Sequence, residues 1–269
     1  MSVKAPVILI FDSGVGGLTV LDPIRAARPD ASYIYVGDTA LFPYGRLADD
    51  HLNARVVKVM DAMIARHNPD CVVIACHTAS TLVLPALRAK FSMPIVGTVP
   101  AIKPAAEATQ SGLVSVLATE GTVKRDYTNA LIRDFASACD VTLVSAANLA
   151  SLAEDALHGL PVSDDAIRAE IASAFVARDG KRTDQIVLAC THYPLLLPRF
   201  QTLAPWPVTW IDPAPAIARR VVQLIGEAPA GAPARIDGLA VLTGPDRWTE
   251  TLLAAFAERG LKPGEPPLI

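Results

Sequence analysis

Val72-Val-Ile-Ala-Cys76-His77-Thr78 and, much later in the chain, Ile186-Val-Leu-Ala-Cys190-Thr191-His192 are the two stretches that decide how this sequence folds. Each is a short run of branched apolar residues, the signature of a strand buried on both faces, and each ends in Ala-Cys followed by polar residues. Working outward, each half also opens alike. Val7-Ile-Leu-Ile-Phe-Asp12-Ser13-Gly14 is a buried strand running into a glycine-rich turn, and Leu113 to Ala118 runs into Thr119-Glu120-Gly121-Thr122. A recurrence of this kind is the mark of a duplicated unit. Apolar runs rich in Val and Ile alternate with segments of helical period throughout, which predicts an α/β fold built on mostly parallel sheets flanked by helices. We therefore expect two matched domains, residues 1–99 plus 212–269 carrying Cys76 and residues 100–211 carrying Cys190. Ligands of open parallel sheets sit beyond the carboxyl ends of the strands, so two such domains facing each other bring both cysteines to one cleft.

Between the strands, Leu52, Val56, Val59, Met60 and Met63 fall on one stripe of a helix after Arg46, which Asn68-Pro69 ends before the strand Cys71 to Ala75. A second helix opens at Pro213-Ala214-Pro215, with Ile217, Val221, Leu224 and Ile225 on its apolar face, and stops at Gly226. Glu227 to Ala234 reads as a loop. A strand over Leu239 to Leu242 and a helix around Trp248 to Glu258 follow, and both are expected to return to the first domain.

A chain of 269 residues that is 51% hydrophobic has ample material for sizeable cores. A net charge of -3 leaves no basic excess for a phosphate backbone, which argues against nucleic acid as a partner. The apolar run Val7 to Phe11 stops at Asp12, far short of a secretory core, and nothing is long enough to span a bilayer, so no membrane partner and a cytoplasmic location are expected. The four cysteines, without dense spacing, read as free thiols of a reducing compartment.

Cys71 and Cys139 read as inert packed thiols. Cys76 and Cys190 lie where a buried strand gives way to a polar loop, and backbone N–H groups at such a place favour a thiolate. Two thiols approaching one carbon from opposite sides suit racemisation, one removing a proton and the other returning one to the far face. Two other uses of the pair stay open. Cys76 with His77 and Cys190 with His192 are ligand types that zinc accepts, although adjacent strand-end residues diverge and no Cys-x-x-Cys clip is present. A redox disulfide lacks the close-spaced pair of the usual oxidoreductases. Asp12-Ser13-Gly14 with Gly16-Gly17 is neither Gly-x-Gly-x-x-Gly nor a Walker loop, and reads as a capped glycine turn whose carboxylate could orient an ammonium group or assist a thiol. Asp38-Thr39 and Phe42-Pro43-Tyr44-Gly45 form another loop after the strand Tyr33 to Gly37. His192, two residues past Cys190, is placed to tune that thiol. His51, His67 and His158 read as surface residues.

Taken in order, Phe11-Asp-Ser-Gly-Val-Gly-Gly-Leu18, Gly37-Asp-Thr with Pro43-Tyr-Gly45, Ala75-Cys-x-Thr-Ala79, Gly121-Thr-Val-Lys124 and Cys190-Thr-His-Tyr-Pro194 resemble the motifs of the glutamate racemases over nearly the whole chain. The resemblance implies pseudo-twofold symmetry, no metal, no pyridoxal phosphate or other cofactor, and interconversion of L- and D-glutamate for peptidoglycan synthesis. It implies Cys76 and Cys190 as the catalytic bases, Cys190 facing L-glutamate, with Asp12 and His192 assisting their neighbouring thiols and Glu154 as a further acidic helper. Asp12, Ser13, Tyr44, Gly45, Thr78, Thr122, Thr191 and His192 correspond to the substrate-holding set, whose hydroxyls and amides suit carboxylates. His77 stands where the family usually has Asn, and is expected to hold the substrate carboxylate with a ring able to gain a proton in the working pH range. Leu41 stands where the family often has Arg. Racemisation of aspartate or a hydantoin, and a non-catalytic ligand-binding or regulatory protein, are the competing readings. A homodimer is expected, closed twofold assemblies being the commonest kind.

Overall fold

The computed structural model describes residues 5–245 and 248–268. The expected first domain also includes residues 1–4, 246–247 and 269, which lie outside them. The strands are β1 (Val7–Asp12), β2 (Ser32–Gly37), β3 (Cys71–Ile74), β4 (Ile95–Gly97), β5 (Leu113–Ala118), β6 (Asp140–Ser145), β7 (Ala177–Arg178), β8 (Lys181–Arg182), β9 (Gln185–Ala189), β10 (Thr209–Ile211), β11 (Gly238–Leu242) and β12 (Leu261–Pro263). One sheet has six strands in the order β12-β11-β2-β1-β3-β4, and a second has four in the order β10-β9-β5-β6. Every pairing within these two sheets is parallel, while β7 and β8 form a separate antiparallel hairpin.

The duplication read from the sequence is written into this topology. In the first sheet β1 lies between β2 and β3, with β4 beyond β3; in the second β5 lies between β6 and β9, with β10 beyond β9. The order 2-1-3-4 thus occurs twice. In such an order the connections leaving the two central strands run to opposite faces of the sheet, which opens a crevice at their carboxyl ends. Asp12 and Cys76 stand at that switch point in one sheet, and Thr119 and Cys190 stand at it in the other. β11 and β12 extend the first sheet beyond β2, in register Leu239↔Ile34 and Gly238↔Leu261.

Each sheet is covered on both faces, which is why its strands read as unbroken apolar runs rather than alternating ones. Ile8, Ile10 and Val73 pack one face of the first sheet with Leu18, Leu21, Ile217 and Val221, while Leu9, Phe11, Val72 and Ile74 pack the other with Val56, Met60 and Leu87. The second sheet likewise has one core around Leu188, Leu149 and Phe200 and another around Val116, Val187 and Ile102. The helix Asp49–His67 buries Leu52, Val56, Val59, Met60 and Met63, and Asn68 ends it in the left-handed region at φ 45.

The structure corrects the second helical stripe. In the helix Ala214–Ile225 the buried face runs through Ala214, Ile217, Ala218 and Val221, and Leu224 is exposed. Its apolar side chain passed for a core residue because spacing alone does not tell how wide the buried stripe is. The last helix starts at Glu250, with the Thr249 side chain capping it, so Trp248 precedes it.

Candidate active site

The two switch points face each other across one buried pocket. Ser13, Tyr44, Gly45, Cys76, His77, Thr78, Cys190, Thr191 and His192 line it, together with Phe42, Pro43, Thr119 and Ala150. The structure therefore brings nine of the expected residues into one wall. Asp12, Thr122 and Glu154 stand behind it, each buried and each bonded to a residue nearer the pocket.

On the first sheet's side, Cys76 is the residue before the helix His77–Lys90 and is 5% exposed. Its Sγ–H donates to Ser13 Oγ at 3.5 Å. Burial, with the Asp12 charge nearby, pushes this thiol up to about 12 against the opposing contacts of Ser13 and the Ala79 amide. The expectation that helix amides favour a thiolate is thus reversed here, because desolvation outweighs a few oriented N–H groups. None of the hydrogen bonds of Asp12 goes to Cys76. Its Oδ2 accepts from the Gly14 and Gly17 amides at 3.2 and 3.1 Å, and its Oδ1 accepts from Thr191 Oγ1 at 3.1 Å. Burial raises its pKa despite His192 and the Gly14 amide. Asp12 therefore braces the glycine loop and ties it to the opposite sheet.

On the second sheet's side, Cys190 is 7% exposed and its Sγ lies 3.7 Å from His192 Nδ1. His192 Nε2 meets Glu154 Oε1 at 2.8 Å, and the same oxygen accepts from the Val15 amide at 2.7 Å. Burial alone would depress His192, but the contacts with Cys190 and Glu154 win and hold it well above the usual histidine range. Burial likewise pushes Glu154 up, yet His158, His192 and the Val15 amide outweigh it and bring this carboxyl down to about 2. Each group is thereby shifted toward its charged form, while the Gly16 amide also points at Nε2, at 3.2 Å. The contrast between the two thiols is a matter of neighbours: Cys76 has a hydroxyl, Cys190 an imidazolium held by a carboxylate.

The glycine loop is shaped by this pair. A Cβ on Gly16 would fall 2.7 Å from His192 Cε1, and one on Gly14 would strike Glu154 Oε1. Glycines stand here for close approach of backbone to side chain, not for cradling a phosphate.

Several expected hydroxyls are spent within the protein. Tyr44 lines the pocket, but its OH donates to Asp38, so the ring serves as wall. Thr191 gives its hydroxyl to Asp12. Thr78, Thr119 and Thr122 share hydrogen bonds at 2.8 to 3.2 Å across the cleft. His77 differs from all of these. It is 3% exposed, neither ring nitrogen has a partner, and burial brings its pKa down to about 3. The expected working-range proton is therefore wrong for this environment: His77 is a neutral imidazole with donor and acceptor both unused.

Three residues take roles that the sequence reading did not give them. Asp38, fully buried, takes a fork from Arg55 at 2.6 and 2.9 Å as well as the Tyr44 hydroxyl, and so holds the loop over the pocket. Phe42 packs on the His192 ring with centroids 5.2 Å apart. His158, read as surface, is half-buried, with Nε2 3.6 Å from Glu154 Oε2. Its spacing of one helical turn from Glu154 was the available signal. As for zinc, no three His, Cys, Asp or Glu side chains group as a metal site among the described residues. In a neighbouring cleft that shares Gly45 with the pocket an ion pair joins Arg125 to Asp49, and Arg46 of the same cleft reaches Asn148 at 3.4 Å.

Known proteins share this architecture, and they define first its class, that of the racemases built on two parallel sheets. The Escherichia coli glutamate racemase solved with L-glutamate and the activator UDP-MurNAc-Ala superposes at TM-score 0.88 with 42% identity, over 97% of this chain and 98% of its own. The Bacillus anthracis glutamate racemase isoform RacE1 superposes at 0.79 with 25% identity, over 99% and 98%. In sequence, a glutamate racemase of Sinorhizobium medicae (strain WSM419) is 53% identical over 258 residues, 95% of this chain and 94% of the relative. The family profile of Asp/Glu/hydantoin racemases matches residues 19–221, and the chain belongs to that family. It is an amino-acid racemase.

Proposed function

We propose that the protein interconverts L- and D-glutamate by direct proton transfer between two thiols, without cofactor or metal. The observation that carries this reading is the pocket itself, to which each sheet contributes one cysteine from the corresponding strand end. Relatives named glutamate racemase, one of them solved with L-glutamate, support glutamate as the substrate.

The chemistry follows from the unequal surroundings of the thiols. Cys76, held protonated by burial, starts as the acid, and Cys190 beside the His192 imidazolium starts as the base. Cys190 takes the α-proton as the C–H bond breaks. The electron pair left on the carbon then takes the proton of Cys76 on the opposite face. The exchanged protonation pattern is the starting state for the reverse reaction, as a symmetric interconversion requires. The unpartnered His77 ring and the first amides of the helix His77–Lys90 are the donors left for the substrate carboxylate, whose negative charge must be stabilised as the carbanion forms. We further read D-glutamate as destined for peptidoglycan, the location as cytoplasmic and the assembly as a homodimer, and the domain limits as 1–99 plus 212–269 and 100–211. Support for the limits comes from the strands each sheet gathers.

The test is loss of optical rotation from L-glutamate, with L-aspartate in parallel, using purified protein after exhaustive chelation. Turnover of glutamate without pyridoxal absorbance, abolished by Cys76→Ala or Cys190→Ala, is the expected result. Turnover lost on chelation and restored by zinc would overturn the two-thiol chemistry, and selective turnover of aspartate would overturn the substrate.

A further inference from the structure

Glu154 has two carboxylate oxygens, and His192 occupies only one of them. Oε1 serves two donors at once, the Val15 amide at 2.7 Å and His192 Nε2 at 2.8 Å. Two bonds to a single oxygen leave the carboxylate plane undetermined, since the last torsion of a glutamate is broad and roughly twofold rather than held in a narrow well. What faces Oε2 therefore decides the orientation of the whole group. That residue is His158, at the end of the helix Leu149–Leu157, with Nε2 3.6 Å from Oε2.

The ring of His158 is itself anchored. Its Nδ1 lies 3.3 Å from the Oγ1 of Thr249, the residue capping the helix Glu250–Ala257. That helix leads into β12 at the edge of the first sheet, whereas Glu154 and His192 belong to the second. The turn carrying His158 is pressed against the same segment: Gly159 has a φ of 79, and a Cβ on it would fall 3.0 Å from Thr251 Oγ1. A continuous series of contacts then runs Thr249, His158, Glu154, His192, Cys190. Cys76 has no member in it, its partners being Ser13 and the Ala79 amide.

We propose that His158 is a positioning residue for one half of the reaction only. It fixes the carboxylate plane of Glu154 so that Oε1 holds His192 with Nδ1 on Cys190, whereas toward Cys76 it has only the remote route of the Val15 amide and the loop carrying Ser13. The proposal rests on the two-thiol reading.

The experiment uses the full chain in deuterated buffer. Cys76→Ala and Cys190→Ala, each with and without His158→Ala, are incubated separately with L- and D-glutamate, and loss of the α-proton signal is followed by NMR. In the Cys76→Ala background only Cys190 exchanges label. There His158→Ala slows the exchange about threefold to tenfold, the scale of one modest side-chain contact, with KM changed less than about twofold. His158→Gln, whose amide can still donate to Oε2, recovers most of the rate. In the Cys190→Ala background, where Cys76 exchanges the other enantiomer, His158→Ala changes nothing beyond about twofold on the same scale. Equal slowing in both backgrounds would mean general damage to the fold, and no slowing in either would mean that Glu154 keeps its orientation unaided. Either result overturns the proposal, as does a glutamine variant no better than alanine. If the two cysteine variants instead exchange the same enantiomer, or none, the two-thiol reading itself fails and the assignment of His158 goes with it.

Discussion

Replacing His77 by leucine should make the free protein more stable and the enzyme worse. The ring is 3% exposed with both nitrogens unpartnered, and a buried polar group left unsatisfied costs about 1–3 kcal/mol. An apolar side chain of comparable size removes that penalty, for a gain of about 1–2 kcal/mol near pH 8, part of the penalty being offset by imperfect packing. The pH dependence follows from the depressed pKa. Folded His77 binds its proton only near pH 3, whereas the unfolded chain binds it near the ordinary value of 6.5. Above pH 6.5 neither state is protonated and the residue is neutral to folding in this respect. Below it the unfolded state is favoured, increasingly until pH about 3. At pH 5 the added penalty is about 2 kcal/mol, so the advantage of leucine grows on acidification. Urea denaturation of wild type and His77→Leu at pH 8 and pH 5 measures both numbers. Racemisation at pH 8 supplies the counterpart. A neutral donor lost from the substrate carboxylate lowers kcat/KM about tenfold to a hundredfold, and His77→Asn, with an amide donor and no titration, recovers most of it. Equal stability of the leucine variant at both pH values would show that the ring is satisfied in solution. Wild-type kcat/KM in that variant would remove His77 from the substrate's surroundings.

Further outcomes follow from the same geometry. Glu154→Gln deprives His192 of the carboxylate that helps raise its pKa, so the imidazolium is lost at lower pH; the alkaline limb of kcat shifts down and kcat falls about tenfold or more, as a pH–rate profile will show. Gly16→Ala drives a methyl group into the His192 ring and should abolish most turnover while circular dichroism still shows a folded chain. Arg55→Ala leaves the fully buried Asp38 carboxylate without its fork, and should cost about 3–5 kcal/mol in urea denaturation; a loss under about 1 kcal/mol would mean that Tyr44 and Thr243 satisfy Asp38 alone.

The sequence alone determined the parts that depend on local chemistry and repetition. Runs such as Val7 to Phe11 and Ile186 to Ala189 announced strands buried on both faces, and the recurrence of Ala-Cys at two strand ends announced the duplication and both thiols. Strands β7, β8 and β12 stayed hidden because they are short and mostly polar, so no apolar run marks them. Tertiary structure decided everything that depends on what stands next to what. Glu154 meets Val15 from 139 positions away, and only folding shows that Glu154 and His192, not a phosphate, leave no room for a side chain at Gly14 and Gly16. Burial, a property of the whole molecule, turned Cys76 into an acid and His77 into a neutral donor, where their local neighbours in sequence suggested a thiolate and a titrating histidine. Residue types name the groups that can carry protons. The desolvation and partners that set which of them carries one exist only once the two sheets have closed on each other.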